Sequence, residues 1–111
     1  MPKNILFLLM LFVSTYANAG VGIGAVILKE VRVESGMVYL FTATSISNPL
    51  GCELANPIKL LPTDLGFDQM YSAALTALTT GKKFKLWLRK CDTSPWGKTI
   101  PKAYAAGLLA D

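Results

Sequence analysis

Two tryptophans with cations close by in sequence are the residues of this chain best suited to binding chemistry. Trp96 lies in the segment Asp92–Lys98, and Trp87 alternates with cationic residues along a run of strand composition. An aromatic face can stack on a sugar ring while charged or hydroxyl-binding groups contact the ring's edges. The pattern therefore predicts a ligand-binding surface built from Trp96, Lys98, Trp87, Lys85 and Arg89. The alternative is that both tryptophans cover the ends of the fold, since tryptophan is usually mostly buried.

Catalytic chemistry is poorly represented in the sequence. The chain contains no histidine, which excludes Ser-His-Asp and Cys-His arrangements. Two cysteines are too few for a zinc site, so neither a metal nor another cofactor is expected. The acidic residues form no motif, although two carboxylates could still meet in space for glycoside hydrolysis. We therefore predict a binding protein rather than an enzyme.

The first nineteen residues have the features of a secretory signal peptide. Lys3 precedes the apolar run Ile5–Val13, and Ala17-Asn18-Ala19 is a signal-peptidase pattern that places cleavage before Gly20. The apolar run is far shorter than the ~20 residues that span a bilayer as a helix. The sequence thus predicts residues 1–19 as a cleaved signal and residues 20–111 as one exported domain, periplasmic or secreted, without a membrane span.

Export also determines how the cysteines are interpreted. Cys52 and Cys91 are an even pair in a chain predicted to enter an oxidising compartment. We therefore predict one structural disulfide between them. Export argues against a nucleic-acid partner as well, even though Lys85, Trp87 and Arg89 interleave charge and aromatic character as single-strand binders do.

The first half of the predicted mature chain has strand composition. Ala25–Glu34 and Met37–Ser45 are rich in β-branched and aliphatic residues, and Ser35-Gly36 between them predicts a tight hairpin. Both faces of the second run are partly apolar, as in a closed barrel. Ile58–Leu61 lies between two prolines and predicts a short strand.

An amphipathic helix follows and then two more strands. The helix is predicted to begin near Phe67 and to end at Gly81. Its apolar stripe consists of Phe67, Met70, Tyr71, Ala74, Leu75 and Leu78. The apolar period then changes to two over Phe84, Leu86 and Leu88. A last strand is predicted over Thr99–Leu108, interrupted by Pro101. The order β-β-β-α-β-β predicts a mainly β protein with one helix, a five-stranded OB-fold barrel.

The second half of the chain resembles a known family. The segment YSAALTALTTGKKFKLWL and the later WGKTIPKAYAAGLL are similar to the B subunits of subtilase cytotoxin and related pertussis-like AB5 toxins, over roughly the last 45 residues. The resemblance implies an OB-fold subunit that assembles as a ring, binds host glycans and accompanies a catalytic A subunit. The alternative is that the chain belongs to a wider set of small exported OB-fold proteins that are not toxin components.

The sequence departs from that family at the sugar-binding positions. A serine and a tyrosine contact the sugar in the members that bind sialic acid, and those positions fall on Ile23 and Leu88 here. Neither side chain can hydrogen-bond a sugar.

Two functions follow from the sequence. The first is a toxin-B-subunit-like module, as a homopentamer, that recognises a surface glycan or an anionic envelope component. The second is a monomeric or dimeric periplasmic protein that binds another protein as a structural or inhibitory partner. Small helix residues could allow close helix approach around a ring axis or form a plain solvent face; they are Ser72, Ala73, Thr76 and Ala77.

Overall fold

The computed structural model describes residues 20–110, which form a six-stranded sheet and one α-helix. In chain order the elements are β1 (Val21–Gly22), β2 (Leu28–Glu34), β3 (Met37–Thr42), β4 (Ile58–Leu60), α1 (Phe67–Thr80), β5 (Phe84–Asp92) and β6 (Ile100–Leu108). The mainly β class with one helix is confirmed. The predicted signal peptide, residues 1–19, lies outside the described residues.

The predicted hairpin is present between β2 and β3. Ser35 and Gly36 form the connection with φ angles of 52° and 77°, and Glu34 pairs with Met37. Positive φ at both central residues is the geometry that favours a two-residue hairpin turn, because its twist matches that of the strands.

The strand count is six rather than the predicted five, because β1 forms ahead of β2. Val21 and Gly22 pair with Leu88 and Trp87 of β5. Glycine has no side chain to pack and weakens a strand, so the sequence around Gly22 and Gly24 did not indicate one.

The segment 20–34 bonds to two different strands. Val26 and Phe84 of β5 exchange two backbone hydrogen bonds of 2.8 Å each. One residue later, the Ala43 amide just after β3 donates to the Ile27 carbonyl at 2.8 Å. The two ends of the strand order, β1-β5-β6-β4-β3-β2, therefore lie on one continuous stretch of chain.

A parallel pair joins the two halves of the sheet. β4 runs parallel to β6, with Lys59 opposite Lys102, while the other paired strands are antiparallel. The predicted interruption at Pro101 is wrong, because Pro101 is buried within β6 opposite Cys91. Proline is tolerated near the beginning of a strand, and Pro101 is the second residue of β6.

The helix begins and ends where the sequence predicted. Gly81 follows Thr80 with φ of 72°, and its amide donates to the Ala77 carbonyl at 2.9 Å. The predicted stripe is wrong at Leu75, which is 39% exposed, while Ala77 is buried. Ala74 and Ala77 face the sheet, and their small side chains let the helix pack closely on it. No helix within residues 20–110 is long and apolar enough to cross a membrane.

The core lies between the helix and the inner face of the sheet. Its largest fully buried side chains are Phe84, Leu40, Ile58, Leu60, Leu86 and Leu88. Ile23 also belongs to the core cluster at 3% exposure, and Leu88 is completely buried. The two positions where the resemblance would place sugar contacts are therefore packing positions.

The predicted disulfide is confirmed. Cys52 and Cys91 are bonded, with 5.5 Å between their Cα atoms. The bond ties the end of β5 to the segment between β3 and β4. It therefore fixes the beginning of the loop that carries Trp96.

Candidate binding surfaces

The structure divides the five predicted ligand-binding residues between two outer surfaces. Trp96 lies in the loop between β5 and β6 and packs across β3. Lys85, Trp87 and Arg89 follow one another along the outer face of β5, because Phe84, Leu86 and Leu88 between them point into the core. β6 and β4 lie between β5 and β3 in the sheet, so the two surfaces are separate.

The first surface is the Trp96 cluster, which we define as Arg32, Tyr39, Phe41 and Trp96. The Trp96 ring meets Tyr39 at a centroid distance of 5.2 Å and Phe41 at 6.1 Å, both edge to face. The Arg32 guanidinium lies 4.6 Å above the Phe41 ring and 6.0 Å from the Trp96 ring. Trp96 nevertheless stays 39% exposed, so part of the indole is available to a ligand.

Tyr39 shows why both faces of β3 are apolar. Its side chain points away from the core, yet only 3% of the residue is exposed, because the loop carrying Trp96 covers it. Burial, with the negative charges of Glu34 and Asp92, raises the pKa of Tyr39. The apolar outer face is thus a packing surface for the loop.

Charges around the Trp96 cluster are balanced in pairs. Arg32 donates two hydrogen bonds to Glu30, at 2.7 and 3.1 Å, and the hydrogen bond from Arg32 lowers the pKa of Glu30. Lys98 lies 3.9 Å from the Glu53 carboxylate, with both side chains more than half exposed. The predicted residue Lys98 therefore pairs with Glu53, and the surface carries no strong excess of either charge.

A buried lysine supports the beginning of the Trp96 loop. The Lys59 ammonium donates to the Thr93 carbonyl at 3.0 Å and lies 3.7 Å from the Asp92 carboxylate. Burial alone would raise the pKa of Asp92, but the Thr93 amide and the nearby ammonium of Lys59 lower it overall. Asp92 is therefore ionised at neutral pH and holds Lys59 in place.

The far end of the same loop is held by reciprocal hydrogen bonds. The Glu53 amide donates to the Thr99 hydroxyl at 3.0 Å, and the Thr99 amide donates to the Glu53 carboxylate at 3.1 Å. Within the loop, the Ser94 hydroxyl bonds the Lys98 carbonyl at 2.5 Å. With the disulfide at Cys91, these contacts order Trp96 before any ligand binds, which lowers the entropy cost of binding.

The second surface begins with Trp87, whose indole lies across neighbouring strands. A Cβ added at Gly22 of β1 would lie 3.0 Å from the indole nitrogen, and one at Gly107 of β6 would lie 3.6 Å from the opposite end of the ring. The Lys85 ammonium is 5.1 Å from the ring centroid. The glycines leave room for the indole to lie along the sheet.

A pocket of about 280 Å³ adjoins this face of β5. We name it the Arg89 pocket, and its lining residues are Asp64, Leu65, Arg89, Lys102 and Tyr104. The Arg89 guanidinium lies 4.1 Å from the centroid of the Tyr104 ring. The Lys102 ammonium pairs with the Asp64 carboxylate at 2.8 Å.

Sequence reasoning missed the partners of the predicted residues. Arg32, Tyr39 and Phe41 join Trp96, and Lys102 and Tyr104 join Arg89, through contacts between strands distant in sequence. The alternating pattern of Met37–Thr42 did place Tyr39 and Phe41 on one face of a strand. It contained no information about which loop would cover that face.

Within the described part of the chain, no group of three or more histidine, cysteine or carboxylate residues could hold a metal ion. Comparison with known protein families, with curated proteins and with solved structures found no match. The two outer surfaces are therefore the features of the chain that bear on its function.

Proposed function

We propose that this chain is an exported, non-catalytic binding protein with an OB-fold, and that the Trp96 cluster binds a glycan. Export is supported by the disulfide together with the signal-like N-terminal sequence. The observation that carries the glycan proposal is the half-exposed Trp96, held on two aromatic rings by an anchored loop.

Strand pairing supports the OB-fold. If β1 and β2 are counted as two parts of one first strand, that strand bonds both β5 and β3. The sheet then contains five strands that close on themselves, with α1 between the third and the fourth. This count agrees with the five-stranded barrel proposed for an OB-fold.

The position of the Trp96 cluster agrees with that topology. OB-folds bind oligosaccharides and oligonucleotides on the face of their second and third strands and in the loop between the last two. Tyr39 and Phe41 lie on β3, the second strand by this count, and Trp96 lies in the last loop. Paired charges favour a sugar over a nucleic acid, whose phosphates would require several unpaired cations.

Replacing Trp96 tests the proposed glycan site. On a glycan array, we expect the oxidised protein to bind a defined set of sugars and Trp96→Ala to bind them about 30-fold more weakly, a loss of ~2 kcal/mol that is typical of a central aromatic contact. Leu108→Ala is the matched control, because Leu108 lies outside the Trp96 cluster and is exposed to a similar degree, 40% against 39% for Trp96. Equal loss in both variants, or an array without any bound glycan, would refute this site.

The exposed face of α1 supports assembly into a homo-oligomer. Between Gln69 and Thr80 the helix carries no charged residue. The Thr76 and Thr79 hydroxyls donate to the Ser72 and Leu75 carbonyls at 3.0 and 2.9 Å, so they are bonded within the helix. We propose that this face contacts other copies of the chain in a ring, as the resemblance to AB5 toxin B subunits implies.

Light scattering after size exclusion measures that assembly. We expect a mass of several subunits for the oxidised protein and a monomer for Leu75→Glu, because a carboxylate would be buried at each contact. Leu54→Glu is the control, since Leu54 is 37% exposed and Leu75 39%. A monomeric wild type would refute the ring.

A monomer would favour the second candidate function. The uncharged helix face would then be the surface for a different exported protein, as in a structural or inhibitory complex. The Trp96 and Leu75 tests separate the two functions, because the array reports on the β3 surface and the mass reports on α1.

A further inference from the structure

The Arg89 pocket is built from three separate parts of the chain. Asp64 and Leu65 come from the connection between β4 and α1, Arg89 comes from β5, and Lys102 and Tyr104 come from β6. The pocket shares no residue with the Trp96 cluster. It is therefore a separate site from the proposed glycan site.

The cations of this pocket are not equivalent. Lys102 is paired with Asp64 at 2.8 Å, and their side chains are only 11% and 26% exposed, so this lysine is already neutralised. Arg89 forms no ion pair with any carboxylate of residues 20–110. Two cations and one carboxylate leave the pocket with one positive charge in excess, located on Arg89.

Tyr104 orients this free guanidinium. The Arg89 group lies 4.1 Å from the Tyr104 ring centroid, and the ring itself is packed against the backbone of Gly20. Stacking limits the rotamers of a long side chain, so less conformational entropy is lost when it binds a ligand. Among the described residues, 20–110, no carboxylate pairs with the N–H donors of Arg89.

We propose that the Arg89 pocket binds the oxyanion of a small organic acid. A guanidinium presents two parallel N–H groups that match two oxygens of a carboxylate or a phosphate ester. The single excess charge suits one anionic group. Leu65, which is 98% exposed, offers an apolar contact to the carbon skeleton beside it.

NMR titration of the purified, oxidised protein tests the pocket. The probes are benzoate and phenyl phosphate, with benzyl alcohol as the neutral analogue. We expect at least one oxyanion to shift the amide resonances of Leu65, Arg89 and Tyr104 in a saturable and salt-sensitive way. Binding of benzoate identifies a carboxylate site, and binding of phenyl phosphate alone identifies a phosphate-ester site.

Two charge-matched variants locate the binding. Arg89→Gln is expected to weaken oxyanion binding at least about tenfold, because it removes the hydrogen bonds to a charged group. Arg32→Gln is the control: Arg32 also stacks on an aromatic ring, at 4.6 Å, but it is already paired with Glu30. We expect the control to bind the oxyanion as the wild type does.

Three results would overturn the proposal. The first is that neither oxyanion shifts these amides. The second is that benzyl alcohol shifts them as strongly as the oxyanions do. The third is that both arginine variants weaken binding equally, which would indicate general charge attraction. If Arg89→Gln disturbs the fold, Arg89→Lys replaces it. That variant keeps the charge but loses the two-pronged geometry, and retention of full affinity would contradict the role given to the guanidinium.

Discussion

Replacing both Cys52 and Cys91 with serine is expected to lower the free energy of unfolding by about 4 kcal/mol. The disulfide joins residues 39 positions apart. In the chain-entropy account, a loop of this length restricts the unfolded chain enough to stabilise the fold by about 4 kcal/mol. Small domains are stable by only about 5–15 kcal/mol in total, so a large part of the stability depends on this bond.

Urea unfolding of the oxidised wild type and the double serine variant measures that effect. A reducing agent should destabilise the wild type by a similar amount and leave the double serine variant unchanged, which separates the bond from the loss of two sulfur atoms. A difference below about 1 kcal/mol between the two proteins would contradict the expected contribution.

Phe84→Ala is expected to cost about 3–5 kcal/mol, the range seen when a buried aromatic side chain is removed from a core. Phe84 is completely buried at the beginning of β5. It also pairs with Val26 on one side and Leu108 on the other. The variant therefore leaves a cavity where the N-terminal segment joins the sheet.

Phe41→Ala provides a matched comparison within the same sheet. Phe41 is only partly buried, on the outer face of β3 below Arg32. We expect it to cost about 1–2 kcal/mol, because removing an aromatic ring that is still partly in water loses less transfer free energy. Thermal and urea unfolding of both variants measure the difference. Equal costs would contradict the expectation that the fully buried ring of Phe84 contributes more to stability than the partly exposed ring of Phe41.

Local patterns in the sequence predicted much of this fold. The helix from Phe67 to a stop at Gly81 depends on periodicity and on a backbone angle that glycine adopts readily. The hairpin at Ser35-Gly36 depends on two residues that tolerate positive φ. The disulfide followed from cysteine parity in a chain with a signal-like start. Each of these depends on interactions between near neighbours or on a simple count.

Long-range packing determined what the sequence could not predict. Leu75 fits the apolar helical stripe as well as Leu78 does, but the helix is rotated so that Ala77 faces the sheet instead. Lys85, Trp87 and Arg89 were grouped correctly on one strand face. Their separation from Trp96 depends on the strand order, in which β6 and β4 lie between β5 and β3. Sequence spacing does not contain that order.

The two lysines that face each other across β4 and β6 connect the two outer surfaces through one point of the sheet. Lys59 secures Asp92 and Thr93 at the base of the Trp96 loop, and Lys102 secures Asp64 at the Arg89 pocket. Because Lys59 and Lys102 are opposite each other on this short parallel pair, the Trp96 loop and the Arg89 pocket share one structural support. A change that displaced β4 from β6 would therefore disturb both surfaces together.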